Sequence, residues 1–325
     1  MHNSTQAVST GTDPFCFCSA IIATVGRSSL SRAVESVLQQ SIPNESFEVL
    51  VINDSGKPLP KAEWQIGKNV QIISTNQWER SVARNTGVAI AKGKYLHFLD
   101  DDDWLAPGAY ESFLQLSQIN NAKWLYGMTQ LVDRQGRPTI RLRHSLKGNC
   151  FVQAMAGEWI PLQASLIARK TFLEIGGFNP LLSGPEDIDL LRRILRTEDV
   201  CETPNLVAYV VMGGEGSTTD YVQHPQASRW AREILLDSSN VHDRMRSSAV
   251  NSFWCGRMLR VYLTSAVWNL AHRRFFSAAS RIWSSIFTVL HAGTGVLTKD
   301  FWRAVSKPYA SLTFEHGIQE SRRMT

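Results

Sequence analysis

Between residues 15 and 120, four short apolar runs take turns with segments of helical spacing, and this alternation restricts the fold more than any other feature. The runs are "FCFCSAIIAT" (15–24), "FEVLVIND" (47–54), "VQIIST" (70–75) and "YLHFLDD" (95–101). Each is rich in β-branched or aromatic residues and apolar at successive positions, so both of its faces need cover. Three helical segments can supply it. "SLSRAVESVLQQS" (29–41) carries Ala33, Val34, Val37 and Leu38 at helical spacing, "SVARNTGVAIAKG" (81–93) stops at Gly93, and "PGAYESFLQLSQI" (107–119) opens on Pro107. The order predicts an α/β fold, a Rossmann-like and mostly parallel sheet with helices on both faces.

After residue 120 the rhythm changes. "AKWLYGMTQLVDRQGRPTIRLR" reads as two strands around the turn "DRQGRP". A strand and a short helix ended by Gly176-Gly177 follow over 160–179, then a helix over 184–196 with acids in its first turn, then a strand over 205–212. From about 226 the pattern is helical, with Phe275, Ala279, Ile282, Ile286 and Val289 on one stripe. The expected division is a loose polar tail (1–14), a sheet domain (15–225) with a nucleotide-binding half (15–120) and an acceptor half (121–225), and a helical extension (226–325). Charge divides at the same place. Residues 226–325 hold 14 Lys+Arg against 6 Asp+Glu, and no acid lies between Asp243 and Asp300.

Five scattered cysteines without a CxxC pair fit neither a zinc site nor a secreted disulfide framework. The first 14 residues lack the basic and apolar regions of a signal peptide, so a cytoplasmic setting is expected.

"GKYLHFLDDDDWLAP" (93–107) places four aspartates where the fourth strand ends. In an open parallel sheet, ligands bind beyond the carboxyl ends of the strands. Asp54 ends the second strand and Thr24 the first, so three strand ends present polar groups along one edge. Clustered carboxylates repel unless a cation sits among them, and Mg²⁺ or Mn²⁺ with phosphate oxygens suits such a site. The residues alone leave a second reading open, a solvated loop or helix cap. A calcium loop is excluded, because Leu105 stands where its sixth-position glycine belongs.

"SAIIATVGRSSLSRAVESVLQQS", "FEVLVINDSG", "SVARNTGVAIAKGKYLHFLDDDDWLAPGAYE" and "GGFNPLLSGPEDIDLLRRI" resemble, in order and spacing, the family 2 glycosyltransferases of the GT-A fold, over about residues 15–225. The resemblance implies a nucleotide-sugar donor, a divalent cation (Mn²⁺ or Mg²⁺) and inversion at the anomeric carbon. It implies donor contacts at Thr24, Asp54, Arg84, Asp100 and Asp101, and a metal ligand at Asp102. It makes Asp187 the base, largely ionised at neutral pH as an ordinary aspartate is, with Glu186 and Asp189 in support. Trp159 and Gln163, ahead of a strand that borders the acceptor, and Ser217 and Thr218, in a glycine-rich loop, are candidate acceptor or phosphate contacts. Each has a structural alternative: Asp54 as a turn former, Arg84 as a surface charge, Glu186 and Asp187 as helix caps, Trp159 as core. The loop at 211–221 lacks the histidine many relatives carry there.

The implied activity is transfer of a sugar to a glycan or lipid-linked acceptor in cell-surface polysaccharide synthesis. A non-catalytic nucleotide-sugar-binding scaffold is the alternative. A sugar nucleotidyltransferase fits less well, since "ATVGRSSL" holds one glycine where that class has a glycine-rich loop. The basic, aromatic extension points to an anionic membrane surface at the inner face of the plasma membrane, through arginines such as Arg257, Arg260, Arg273 and Arg274, or to a packed helical appendage. "IWSSIFTVLHAGTGVLT" (282–298) is too short and interrupted to span a bilayer, and no nucleic-acid module accompanies the charge.

Overall fold

The structure, a computed structural model, describes residues 16–43, 46–75, 79–144, 146–182, 184–213, 225–238, 241–247 and 250–306. Its first half follows the alternation. Strand β1 (Cys18–Thr24) leads to α1 (Leu30–Leu38), β2 (Phe47–Asn53) to β3 (Val70–Ser74), then α2 (Arg80–Ile90), β4 (Tyr95–Asp100), β5 (Trp104–Leu105) and α3 (Ala109–Ile119). β1 pairs in parallel with β2 and β4, and β2 with β3. β2 is buried throughout, as a strand covered on both faces must be, whereas β3 closes the edge and is largely exposed.

The second half is mixed. β6 (Trp124–Val132) and β7 (Pro138–Leu142) form the expected hairpin, and α4 (Phe151–Met155), β8 (Ser165–Ala168), α5 (Arg169–Glu174), α6 (Glu186–Leu195) and β9 (Val200–Val211) follow. β9 begins five residues before the 205 expected from sequence, because its start pairs in parallel with Trp124–Tyr126 of β6. β8 runs antiparallel between β4 and β6. The sheet order is β3-β2-β1-β4-β8-β6-β9-β5, with β7 beside β6.

The sheet curls, and chain length shows why. Only residues 101–103 separate β4 from β5, yet β5 pairs with β9 on the far side of β8 and β6. Three extended residues reach about 10 Å. The β9 edge therefore has to come round to the carboxyl end of β4, with the aspartate loop across the closure.

Helices α7 (Pro225–Ser238), α8 (Val241–Ser247), α9 (Ser252–Ala271), α10 (Phe275–Ala292) and α11 (Lys299–Ser306) complete the described chain. Cys255, Met258, Leu259 and Tyr262 of α9 and Phe301 of α11 share one core with Leu50, Phe98 and Phe151 of the sheet domain. Arg257 is buried and donates to the Ala156 carbonyl at 3.1 Å.

The apolar stripe of α10 faces outward. Phe275, Ala279, Ile282, Ile286 and Val289 are exposed, while Ala278, Arg281, Ser284, Ser285 and Thr288 are buried. The cause is a polar interior. Glu233 of α7 is fully buried, accepts from Ser265 at 2.6 Å and Asn269 at 2.9 Å, and pairs with Arg281 at 3.3 Å. A buried carboxylate needs a cation and donors around it, so α10 turns its arginine and hydroxyl side inward.

Candidate active site

The four aspartates diverge because the loop must turn sharply between β4 and β5. Asp101 points under the first strand. Its Oδ2 accepts from Thr24 Oγ1 at 2.6 Å and its Oδ1 from Arg27, and Thr24 Oγ1 in turn accepts from Gly26 N at 2.9 Å. Among the described residues, Asp100, Asp102 and Asp103 are the group whose carboxylate oxygens, all within 4.8 Å of one another, could share a cation. Asp103, not singled out as a ligand from sequence, is buried and anchored, accepting from Val211 N of β9 at 2.8 Å. Arg32 lies 3.8 Å over the Trp104 ring and donates to the Asp102 carbonyl at 2.8 Å, bracing the loop from outside. Trp104 stacks on Tyr209 of β9.

The electrostatics fit a hard divalent cation. Burial raises the Asp102 and Asp103 carboxyls, and repulsion from Asp100 adds to it. A dication among three oxygen donors reverses that logic and keeps all three ionised. Asp100 is already held ionised. Burial alone would raise it, but Arg84 against it, with Arg80 and Gln163, brings it below the ordinary range.

Arg84 is buried rather than a surface charge. Nη2 contacts Asp100 Oδ1 at 2.6 Å and Nη1 contacts Glu186 Oε1 at 3.1 Å. Burial works against its charge, and the two carboxylates more than restore it. Asn85, its neighbour, donates to the Phe178 carbonyl at 2.9 Å and accepts from Phe178 N at 3.0 Å. α2 thus clamps the aspartate loop, the Gly177-Phe178 turn and the start of α6 together. Gly177, at φ +71, leaves no room for a side chain because Asn85 Oδ1 lies 2.8 Å from where a Cβ would stand.

Asp187 sits partly exposed at the α6 N-terminus, and Oδ1 accepts from Ile188 N at 2.7 Å. Desolvation, with Glu186 beside it, pushes its carboxyl up to about 7, and Arg84 and Arg80 only partly offset this. The expectation of a largely ionised aspartate at neutral pH is therefore corrected: near pH 7 about half carries the proton. Glu186 is buried with Oε2 lacking a hydrogen-bond partner. Asp189 binds Arg193 at 2.7 Å, and Arg193 donates to the Ile175 and Gly177 carbonyls, holding the turn before α6.

Gln163 lies on the aspartates, its Nε2 donating to Asp100 Oδ2 at 2.7 Å. Its carbonyl is 2.9 Å from His97 Nε2, and His97 Nδ1 is 2.9 Å from the Tyr110 hydroxyl. Burial lowers His97 to about 4, so the ring is neutral. With the hydroxyl donating to Nδ1, Nε2–H donates to Gln163 and fixes its reach. Asp54 is buried, accepting from Thr75 Oγ1 at 2.6 Å and Glu79 N at 2.8 Å, which joins β3 to α2. The turn after β2 belongs to Asn53, which accepts from both Ser55 N and Ser55 Oγ. Trp159 is partly buried, its ring edge-on to His144 at 5.6 Å. Ser217 and Thr218 lie outside the described residues. Arg27, Arg32 and His97 were not anticipated from sequence, and Asp103 was expected only to add field or cap the next helix rather than to share a cation. Arg27 follows the first strand end by three residues and Arg32 lies in the first turn of α1, and His97 interrupts an apolar strand, so each left a local signal.

Residues 19–178 match the family model described as Glycosyl transferase family 2. The chain is 31% identical over 179 residues to a glycosyltransferase of Haemophilus influenzae, itself uncharacterised, covering 50% of this chain and 56% of that protein. It is 32% identical over 103 residues to the poly(ribitol-phosphate) beta-N-acetylglucosaminyltransferase TarP of Staphylococcus aureus, covering 30% of this chain and 32% of TarP. The chain thus spans between a third and just over half of the length of these two relatives. Among solved structures, S. aureus TarS 1–349 superposes with a TM-score of 0.57 at 12% identity, covering 95% of this chain and 92% of TarS 1–349. The same fragment in complex with UDP-GlcNAc gives 0.57 at 14% identity over 69% of this chain and 67% of that one. The shared fold is the GT-A type.

Proposed function

We propose that this chain, whose residues 19–178 belong to glycosyl transferase family 2, is an inverting, metal-dependent enzyme that moves a sugar from a nucleotide-sugar donor to a hydroxyl of a glycan or lipid-linked acceptor. The observation that carries the reading is one buried arginine, Arg84, bonded to the aspartate cluster on one side and to Glu186, next to Asp187, on the other. Donor-side and acceptor-side carboxylates are held at one fixed separation, as a single displacement requires. One relative named for poly(ribitol-phosphate) glycosylation, TarP, and one named as a minor teichoic acid biosynthesis protein, GgaB of Bacillus subtilis, support a cell-surface polymer as product, and a lipid-linked acceptor would bring the chain to an anionic membrane surface.

Asp100, Asp102 and Asp103 would hold the cation, Mn²⁺ or Mg²⁺, which supplies charge stabilisation to the departing diphosphate. Asp187 in its ionised form accepts the proton of the acceptor hydroxyl as that oxygen attacks the anomeric carbon. The bond from that carbon to the diphosphate oxygen breaks, the electron pair leaves with the nucleoside diphosphate, and configuration inverts. Arg84 and Gln163 hold Asp100 in place, and Thr24 and Arg27 hold Asp101 beneath it.

The test is a panel of nucleotide sugars incubated with Mn²⁺ or with chelator, following nucleoside diphosphate release and the anomeric configuration of the transferred sugar by NMR. Metal-dependent release with inversion is expected. Binding of donor without any turnover would favour the scaffold reading, and retention would remove the single-displacement mechanism.

A further inference from the structure

The helical extension was expected to meet a membrane through its arginines, and most of those named are committed internally. Arg257 is buried, Arg260 donates to the Val305 carbonyl at 2.7 Å, Arg274 pairs with Asp237 at 2.8 Å, and Arg281 is enclosed with Glu233. What the extension exposes instead is the apolar side of α10. Phe276 is 90% exposed, Trp283 67% and Leu290 73%, with Phe275, Ile282 and Ile286 on the same outward surface. From Phe275 to Leu290 that is about 24 Å of helix. An amphipathic helix normally buries such a stripe. Here the buried polar network fixes the opposite side inward, so rotation of α10 cannot hide it.

We propose that α10 docks the protein on an anionic lipid bilayer by inserting this apolar face into the interface. Charge favours a bilayer over a second copy of the chain. No carboxylate lies from 244 to 299 in the sequence, and exposed Arg273 stands two residues before Phe275 at the start of α10, a distribution suited to anionic headgroups. Among the described residues no helix is long and apolar enough to cross a membrane, so α10 would lie in the headgroup plane with Trp283 and the phenylalanines at the acyl boundary. Because the contact is mainly apolar, binding should persist in salt that abolishes purely electrostatic adsorption.

The experiment is co-sedimentation of the full chain with vesicles of phosphatidylglycerol and phosphatidylcholine at low and at 0.5 M salt (a concentration on the order of a 4 Å screening length). Beside it runs the variant Phe276→Ser/Trp283→Ser/Ile286→Ser, which leaves net charge unchanged. The native chain should partition at both salts, and the variant about tenfold or more weaker. Helical content, melting and donor hydrolysis without lipid should be the same for both. Quenching of native tryptophan fluorescence by brominated lipids gives a reading that does not depend on the variant folding. Loss of all native binding in high salt, equal binding by the variant, absence of quenching, or a lipid-free dimer that the variant dissociates would each overturn the proposal. Donor hydrolysis is read separately, so failure of the docking surface leaves the catalytic reading standing, and the reverse.

Discussion

Arg84 and Glu186 stand 102 positions apart in the chain and 3.1 Å apart in the fold, and the second nitrogen of the same guanidinium lies 2.6 Å from Asp100. One side chain therefore fixes the spacing between the aspartate loop and the start of α6.

Arg84→Met should cost about 3–5 kcal/mol of stability, the usual consequence of leaving a buried charge unpaired, and should abolish turnover. Adding Glu186→Gln should recover part of that stability by removing the stranded carboxylate, while turnover stays lost. Chemical denaturation of the two single variants and the double variant gives the coupling. Additive losses would show that the contact contributes nothing specific.

Asp103→Asn tests the unanticipated member of the triplet. The asparagine oxygen can still accept from Val211 N, so the fold should survive, but a charged ligand is gone. Mn²⁺ affinity, measured by calorimetry in the absence of donor, should fall about tenfold or more, in the range of losses seen when a supporting group at a metal site is removed. Unchanged affinity would leave Asp100 and Asp102 as the pair that matters.

Asp187 gives a pH signature. A base must be ionised to act, and this carboxyl is raised to about 7. Activity should therefore be lost as pH falls through about 7, dropping tenfold per unit below that, and not near 4 where an ordinary aspartate titrates. The pH profile of kcat/KM measures it. A limb inflecting near 4 would remove Asp187 as the base.

The same carboxyl should lower stability at high pH. Its folded pKa lies above its unfolded one, so the folded state loses ground as pH rises from about 4 to 7, with the full penalty present above 7. Asp187→Asn should raise the melting temperature at pH 8 and much less at pH 4.5. Partial exposure limits the gain to on the order of 1–2 kcal/mol. Turnover should fall roughly 10²–10⁴-fold in the same variant. Equal melting shifts at both pH values would mean the carboxyl is not raised.

Much of this was legible in local sequence. The spacing of "AIIAT", "VLVIN" and "YLHFL" makes buried strands wherever they sit, because period and polarity act within a few residues. The carboxyl ends of parallel strands share one edge, so Thr24, Asp54 and Asp100 had to gather there. The start of α6 was likewise readable, since "GPEDIDLL" carries its own acidic first turn.

The tertiary structure decided the rest. Asp100, Asp102 and Asp103 converge while Asp101 turns to Thr24 and Arg27, because β5 must reach β9 within three residues. Arg84 reads as a surface charge in "SVARNTG" and becomes a buried bridge only once α6 arrives from a hundred residues away. Asp187 looks ionised until its desolvation is known. α10 shows most plainly why local pattern has a limit: the helical period announces two faces but not which one the molecule covers. Glu233, buried on another helix and in need of Arg281, turned the polar face inward. Periodicity is a property of the segment, whereas burial and charge compensation belong to whatever the segment meets.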